Sequence, residues 1–228
     1  MSVIRWGMIG CGAVAEVKSG PGFYKSKNSA LLGVTSADMA MTQSFAQRHG
    51  VPNAYASTEA LLANPEIDAV YVATPPSSHK LLALQAARAG KHVYVEKPMA
   101  MRFGECREIV DTCAQQGVRL FVAFYRRAMP RFLKIKAWID SGAIGQPLCI
   151  RAVQHQKTAP EDLSRATLPW RLKPEIAGGG KFLDMGIHEL DIFDFLFGAI
   201  EEVHGIAGNH AGLYDVEDTV TAAWRHAG

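Results

Sequence analysis

Cysteine is scarce in this sequence. The four that occur, Cys11, Cys106, Cys113 and Cys149, are scattered, with no C-x-x-C pair among them. That spacing suggests neither a zinc cluster nor a disulfide framework and fits a reducing, cytoplasmic setting. An excess of one charge is lacking as well: 24 basic and 22 acidic residues leave a formal net charge of +2, without long like-charge runs. No electrostatic footprint for nucleic acid or an anionic membrane follows, so the expected partners are small molecules or protein. The first apolar stretch, residues 1–9, is interrupted by Arg5 and Gly7 and is too short for a signal peptide or a spanning helix. Internal repeats and low-complexity tracts are also missing.

What the chain does have is enough apolar residue, 48% of 228 positions with 20% charged, to bury one or two ordinary cores. Through the first 125 residues, apolar runs bounded by turn residues alternate with helix-period stretches, the sequence form of repeated βαβ units around a parallel sheet. Strands are expected at 4–9, 31–35, 69–73, 92–95 and 120–124, and helices at 13–18, 42–49, 58–63, 79–89 and 103–116. An amphipathic segment at 130–141 and the turn Gly142-Ala143-Ile144-Gly145-Gln146-Pro147 lead into a second domain. There a strand is expected at 148–156, a helix at 184–197 and further strands at 201–207 and 218–225, giving an α/β domain with an open, mainly antiparallel sheet. The expected division is 1–125 and 126–228.

The strand at 4–9 runs into Gly10-Cys11-Gly12-Ala13-Val14-Ala15. Gly10 permits a tight turn, Gly12 lets backbone approach a pyrophosphate, and small Ala15 lets the new helix pack close to the sheet. Backbone N–H groups around Ala13 and Val14 would hold the phosphates. A glycine pattern alone is weak, but strand, turn and helix in this order point to a dinucleotide site. The second strand ends in Thr35-Ser36-Ala37-Asp38. Ser36 and Asp38 lie where a ribose partner belongs, although Asp38 equally suits the cap of the next helix, and no Arg accompanies them. NAD and NADP both stay open. The third strand ends in Ala73-Thr74-Pro75-Pro76-Ser77-Ser78-His79, and Thr74, Pro75, Pro76 and His79 are candidate cofactor contacts at the carboxyl edge of the sheet. Helix capping by Ser77 or Ser78 is the alternative.

Two motifs carry a family resemblance. Glu96-Lys97-Pro98 follows the fourth strand, and Gly178-Gly179-Gly180 followed by Asp184, Gly186, His188 and Asp191 opens the later helix. With Tyr125-Arg126-Arg127 and Trp170-Arg171, the set resembles the glucose-fructose oxidoreductase, inositol dehydrogenase and MocA (Gfo/Idh/MocA) family over nearly the whole chain. The resemblance implies a Rossmann domain followed by an α/β domain, and NAD- or NADP-dependent oxidation of a sugar, cyclitol or related diol. It implies Lys97 and His188 as the catalytic pair, Asp184 as a substrate-hydroxyl partner, and a cis Lys97–Pro98 bond. It also implies a second domain longer than residues 126–228, so the sheet here is expected to be incomplete. A dimer or tetramer is expected.

Oxidising a secondary alcohol requires a base for the hydroxyl proton and a cation near the oxygen. His188 suits the first role and Lys97 the second. Asp184, His188 and Asp191 are spaced to share one helix face, so that one carboxylate could orient the imidazole and the other accept from substrate. A solvated face with an ordinary Asp–His pair is the plainer alternative; a metal site is the minority one and none is expected. Glu96, counted among the cofactor-binding candidates, would position the Lys97 turn or stand as a solvated strand-end carboxylate. Tyr125, Trp170 and Arg171 are candidate substrate contacts, with core packing and salt bridges as alternatives for them and for Arg126 and Arg127. The competing function is a non-catalytic NAD(P)-binding sensor or regulatory subunit.

Overall fold

The computed structural model describes residues 2–227. By Cα proximity the chain divides between Ala123 and Phe124 into two compact units. In the first, strands β1 (Ile4–Ile9), β2 (Ser29–Thr35), β3 (Asn53–Ala54), β4 (Ala69–Val72), β5 (His92–Val95) and β6 (Leu120–Val122) form one parallel sheet ordered β3-β2-β1-β4-β5-β6. This is the doubly wound order of a Rossmann domain, with its switch point between β1 and β4. The connecting helices are α1 (Gly20–Lys25), α2 (Met39–His49), α3 (Thr58–Leu62), α4 (Pro76–Arg88) and α5 (Phe103–Gln115).

Both faces of the sheet are covered, which is why the strands read as continuous apolar runs. Side chains alternate across the pleat: Ile9, Val70, Val72, Val93 and Val95 join Leu61, Leu84 and Ile109 in one core, while Met8, Val34 and Tyr71 join Phe23 and Phe45 in the other. In the second core Phe23, Tyr71 and Tyr94 stack with ring centroids 4.7 to 6.2 Å apart.

The second unit contains α6 (Pro130–Asp140), the short α7 (Pro174–Ala177), α8 (Ile187–Phe197) and an antiparallel pair, β7 (Ile200–Gly208) with β8 (Thr219–His226). Phe193 packs on Trp224, and Phe197 on His226, so α8 lies on one face of this pair.

Several local expectations need correction. The turn of helix expected at 13–18 is a π-helical turn, Val14–Lys18, followed by α1, which the apolar pattern did not mark. Helix α4 begins at Pro76 rather than at 79, with proline in the first turn where its missing N–H is harmless. Residues 148–156 form no strand: Leu148 is 91% exposed and Val153 68%. A strand needs a ladder partner, and among the described residues none pairs with this segment.

Candidate functional site

At the carboxyl edge of the Rossmann sheet, Ile9, Val72 and Val95 are in register across β1, β4 and β5. Gly10, Ala73 and Glu96 are therefore the first residues beyond the ladder, where open α/β sheets take their ligands. The chain turns at Gly10 with φ +105°, and a Cβ there would lie 2.7 Å from the Ala73 carbonyl oxygen, so only glycine fits. Gly12 is the opposite case. It is exposed, and a Cβ would meet nothing within 4 Å. Open space over backbone at the start of a helical turn is the cradle a pyrophosphate needs, and the donor chemistry of the turn fits a dinucleotide. Ala13 is exposed and Val14 half-buried beside it, while Ala15 is fully buried against the sheet.

At the end of β2, Asp38 caps α2, its carboxylate accepting from the Ala40 and Met41 N–H groups at 2.8 and 3.2 Å. Ser36 Oγ donates to the Asp38 carbonyl at 2.8 Å and lies 2.8 Å from Thr42 Oγ1. In the next turn, Pro75 occupies the cap position of α4, and Ser78 reaches back to Thr74 Oγ1 (2.7 Å) and the Pro75 carbonyl (2.9 Å). His79 is completely buried, with Nε2 2.7 Å from the Thr74 carbonyl and Nδ1 2.8 Å from the Pro98 carbonyl. It therefore lies behind the turn instead of on its open side.

Glu96 is tied into the protein from both oxygens: Tyr71 Oη donates to Oε1 at 2.5 Å, and the Lys97 N–H donates to Oε2 at 3.2 Å. Ser19 Oγ lies 2.6 Å from the same Tyr71 oxygen. Burial and the Glu96 charge push the Tyr71 phenol far above its ordinary range, so it stays a donor to the carboxylate. Glu96 thus braces the backbone from which half-buried Lys97 projects, and the Lys97–Pro98 bond is cis. Neither Tyr71 nor Ser19 stood out in the sequence; a tyrosine in an otherwise aliphatic buried strand was the signal available.

In the second unit, a π-helical turn, Phe182–Gly186, precedes α8 and carries Asp184. Glu217 caps it, accepting from the Gly180 N–H at 2.8 Å and the Leu183 N–H at 3.3 Å; this residue also went unmarked in the sequence. Asp184 forms an ion pair with Arg171 at 3.6 Å, and the Arg171 guanidinium stacks 4.4 Å from the Trp170 ring centroid. His188 does not belong to a solvated face. It is 5% exposed and shares the buried stripe of α8 with Ile192 and Leu196, whereas Ile187, Leu190 and Phe193 are half-buried. Phe124 and Tyr125 pack edge-on to its ring at 6.0 and 5.6 Å, Tyr125 remaining 57% exposed.

Asp191 turns to Arg127, whose Nη2 lies 2.7 Å from Oδ1, and Glu189 pairs with Arg126 at 2.5 Å. The salt-bridge alternative describes these two arginines. Among the described residues no three His, Cys, Asp or Glu side chains converge as a metal site.

A parallel sheet in this order, with an open glycine turn at its switch point, defines a nucleotide-binding Rossmann domain joined to a smaller domain containing an antiparallel sheet. Residues 4–124 match the Gfo/Idh/MocA oxidoreductase family, NAD-binding Rossmann fold, and residues 132–228 match the C-terminal domain of the same family. The chain belongs to this family, and its cofactor class is the nicotinamide dinucleotides.

It is 44% identical over 202 residues to oxidoreductase P35 of Formosa agariphila, covering 89% of this chain and 63% of that protein. It is 32% identical over 224 residues to 1,5-anhydro-D-fructose reductase of Ensifer adhaerens, covering 97% and 65%. The structure of levoglucosan dehydrogenase in complex with NADH superposes with a TM-score of 0.83 at 26% identity, over 99% of this chain and 64% of that one. The chain thus spans a little under two thirds of the length of these relatives. No helix among the described residues is long and apolar enough to cross a membrane.

Proposed function

We propose that this chain is the cofactor-binding and catalytic part of an oxidoreductase moving hydride between a nicotinamide dinucleotide and a carbinol carbon of a sugar, cyclitol or related diol. The observation that carries the reading is the braced Lys97 turn. A half-buried lysine is held by Glu96 and Tyr71 at the sheet edge that presents the open Gly12 turn. A protein that only sensed nucleotide would need the glycine turn and not the lysine.

When bound, the nicotinamide supplies hydride exchange. Lys97 contributes a positive charge for the developing alkoxide, and Asp184, tied to Arg171, accepts from a substrate hydroxyl. His188, fixed by Phe124 and Tyr125, takes the hydroxyl proton. The cofactor contacts on this reading are Gly10, Gly12, Ala13, Val14, Ser36, Thr74, Pro75 and Pro76, while Tyr125, Trp170 and Arg171 contact substrate. The relatives' names, a 1,5-anhydro-D-fructose reductase and a levoglucosan dehydrogenase, support a sugar-like substrate.

The same reading takes a second copy of the chain as protein partner, rather than nucleic acid or membrane, supported by nearly balanced charge and by exposed Ile206 on the face of the β7–β8 pair away from α8. Cysteines outside any disulfide support a reducing, cytoplasmic setting.

The test is fluorescence titration with NADH and NADPH, followed by turnover on polyols, sugars and diols. Lys97→Ala and His188→Asn are expected to lower turnover about a hundredfold or more, the usual scale for an acid–base group, with NADH affinity nearly unchanged. Normal turnover in both variants would refute the assignment.

A further inference from the structure

His79 is a histidine without solvent contact, set behind the turns at the nucleotide edge of its domain. Its two ring nitrogens face the carbonyls of two different turns. Nε2 lies 2.7 Å from the oxygen of Thr74, in the turn that opens α4, and Nδ1 lies 2.8 Å from the oxygen of Pro98, the residue after Lys97. Through one ring, the turn beside the glycine cradle and the turn carrying the lysine become neighbours, each carbonyl within hydrogen-bonding reach of a ring nitrogen. Nothing in ordinary core packing requires a polar ring there. A leucine would fill similar volume without two buried nitrogens to satisfy.

We propose that His79 is a positioning residue that couples nucleotide binding at the Thr74–Ser78 turn to the backbone that aims Lys97. The inference rests on the cofactor reading above. The chemistry of the ring explains why the link transmits rather than merely fastens. Burial holds the imidazole below the ordinary histidine range, against the opposing pull of the two carbonyls and of Glu96, with Lys97 adding to the lowering. A neutral ring has one N–H to give. It donates to Thr74 from Nε2 or to Pro98 from Nδ1, and a ligand that draws the Thr74 turn toward itself alters which carbonyl is held.

The two amide side chains separate the two links. In His79→Gln the amide nitrogen takes the place of Nε2 and can hold Thr74 alone; in His79→Asn it takes the place of Nδ1 and can hold Pro98 alone. The measurements are NADH affinity by fluorescence, backbone hydrogen–deuterium exchange with and without saturating NADH, and the thermal midpoint.

In the unaltered chain NADH should slow exchange in residues 74–80 and also in residues 99–101. His79→Gln should bind NADH within about threefold of the unaltered chain and protect 74–80 while leaving 99–101 unchanged. His79→Asn should bind about tenfold more weakly, the scale of one lost buried hydrogen bond, and likewise leave 99–101 unprotected.

Protection of 99–101 persisting in both variants would overturn the proposal. So would a loss of affinity in proportion to thermal midpoint in both, which is the signature of a packing residue. Should neither variant fold, the unaltered chain decides: NADH protection confined to 74–80 refutes the coupling, and protection of both segments upholds it. Failure of the unaltered chain to bind NADH at all would reject the cofactor reading itself, a different result from normal binding without coupling.

Discussion

The two glycines of the first turn separate folding from binding. At Gly10 an added methyl is strained by φ +105° and lies 2.7 Å from the Ala73 carbonyl oxygen. The left-handed backbone costs about 1–2 kcal/mol for an alanine and the overpacking a similar amount, so Gly10→Ala should cost about 3 kcal/mol. For a chain of 228 residues that lowers the thermal midpoint by roughly 10 °C. At Gly12 the same methyl meets nothing within 4 Å, and the position needs no left-handed backbone. Gly12→Ala should therefore melt at or slightly above the unaltered midpoint, because alanine leaves the unfolded chain less entropy to lose, by about 0.4–1 kcal/mol.

Its effect should fall on the ligand. A methyl in the cradle holds the pyrophosphate off the backbone donors, and each lost charge-assisted hydrogen bond is worth about 1.5–3 kcal/mol, or roughly 10- to 100-fold in affinity. Differential scanning calorimetry and NADH fluorescence titration on the pair measure both axes. Unaltered NADH affinity in Gly12→Ala, or a melting loss matching that of Gly10→Ala, would refute the placement of the phosphate site.

Two further outcomes follow from ion pairs. Asp191 is 8% exposed and held by Arg127, which is 42% exposed. Arg127→Leu should destabilise by about 2 kcal/mol, below the 3–5 typical of a fully buried pair, because water reaches the arginine side. A double-mutant cycle with Asp191→Asn should show positive coupling, and additive losses would contradict the pairing. Asp68 is held below the ordinary carboxylate range mainly by its hydrogen bond with Arg5. A depressed folded value means that this stabilisation is present above the unfolded value of about 4 and is lost as pH falls through the folded one. Arg5→Gln should accordingly flatten the stability–pH curve below pH 4, and an unchanged acid limb in urea unfolding would count against it.

The first unit was legible in the sequence because backbone demands are local. A run such as Ala69-Val70-Tyr71-Val72 between turn residues has few ways to bury itself other than as a central parallel strand, and Gly10 is required by a dihedral angle within its own turn. The segment at 148–156 shows where this reasoning stops. Its apolar alternation is a real strand pattern, yet pairing depends on a neighbour that the segment itself does not specify. Leu148 therefore stays in solvent.

The site divides along the same line. Helical spacing puts Asp184, His188 and Asp191 on one face, but spacing cannot say what each group will face. The partners are remote: Arg127 reaches Asp191 across 64 positions, and Glu217 caps the Gly180 turn from 37 positions away. The π-helical turn at Phe182–Gly186 also breaks the regular 3.6-residue count just where Asp184 lies, so it and His188 need not share the face an ideal helix would give them. His188 consequently runs with Ile192 and Leu196 into the core instead of standing on a polar face. On the role proposed above for His188, proton acceptor, that burial is the more useful arrangement. A ring fixed by Phe124 and Tyr125 loses little further freedom when a substrate binds, and a dry neighbourhood strengthens whatever charge interaction it makes.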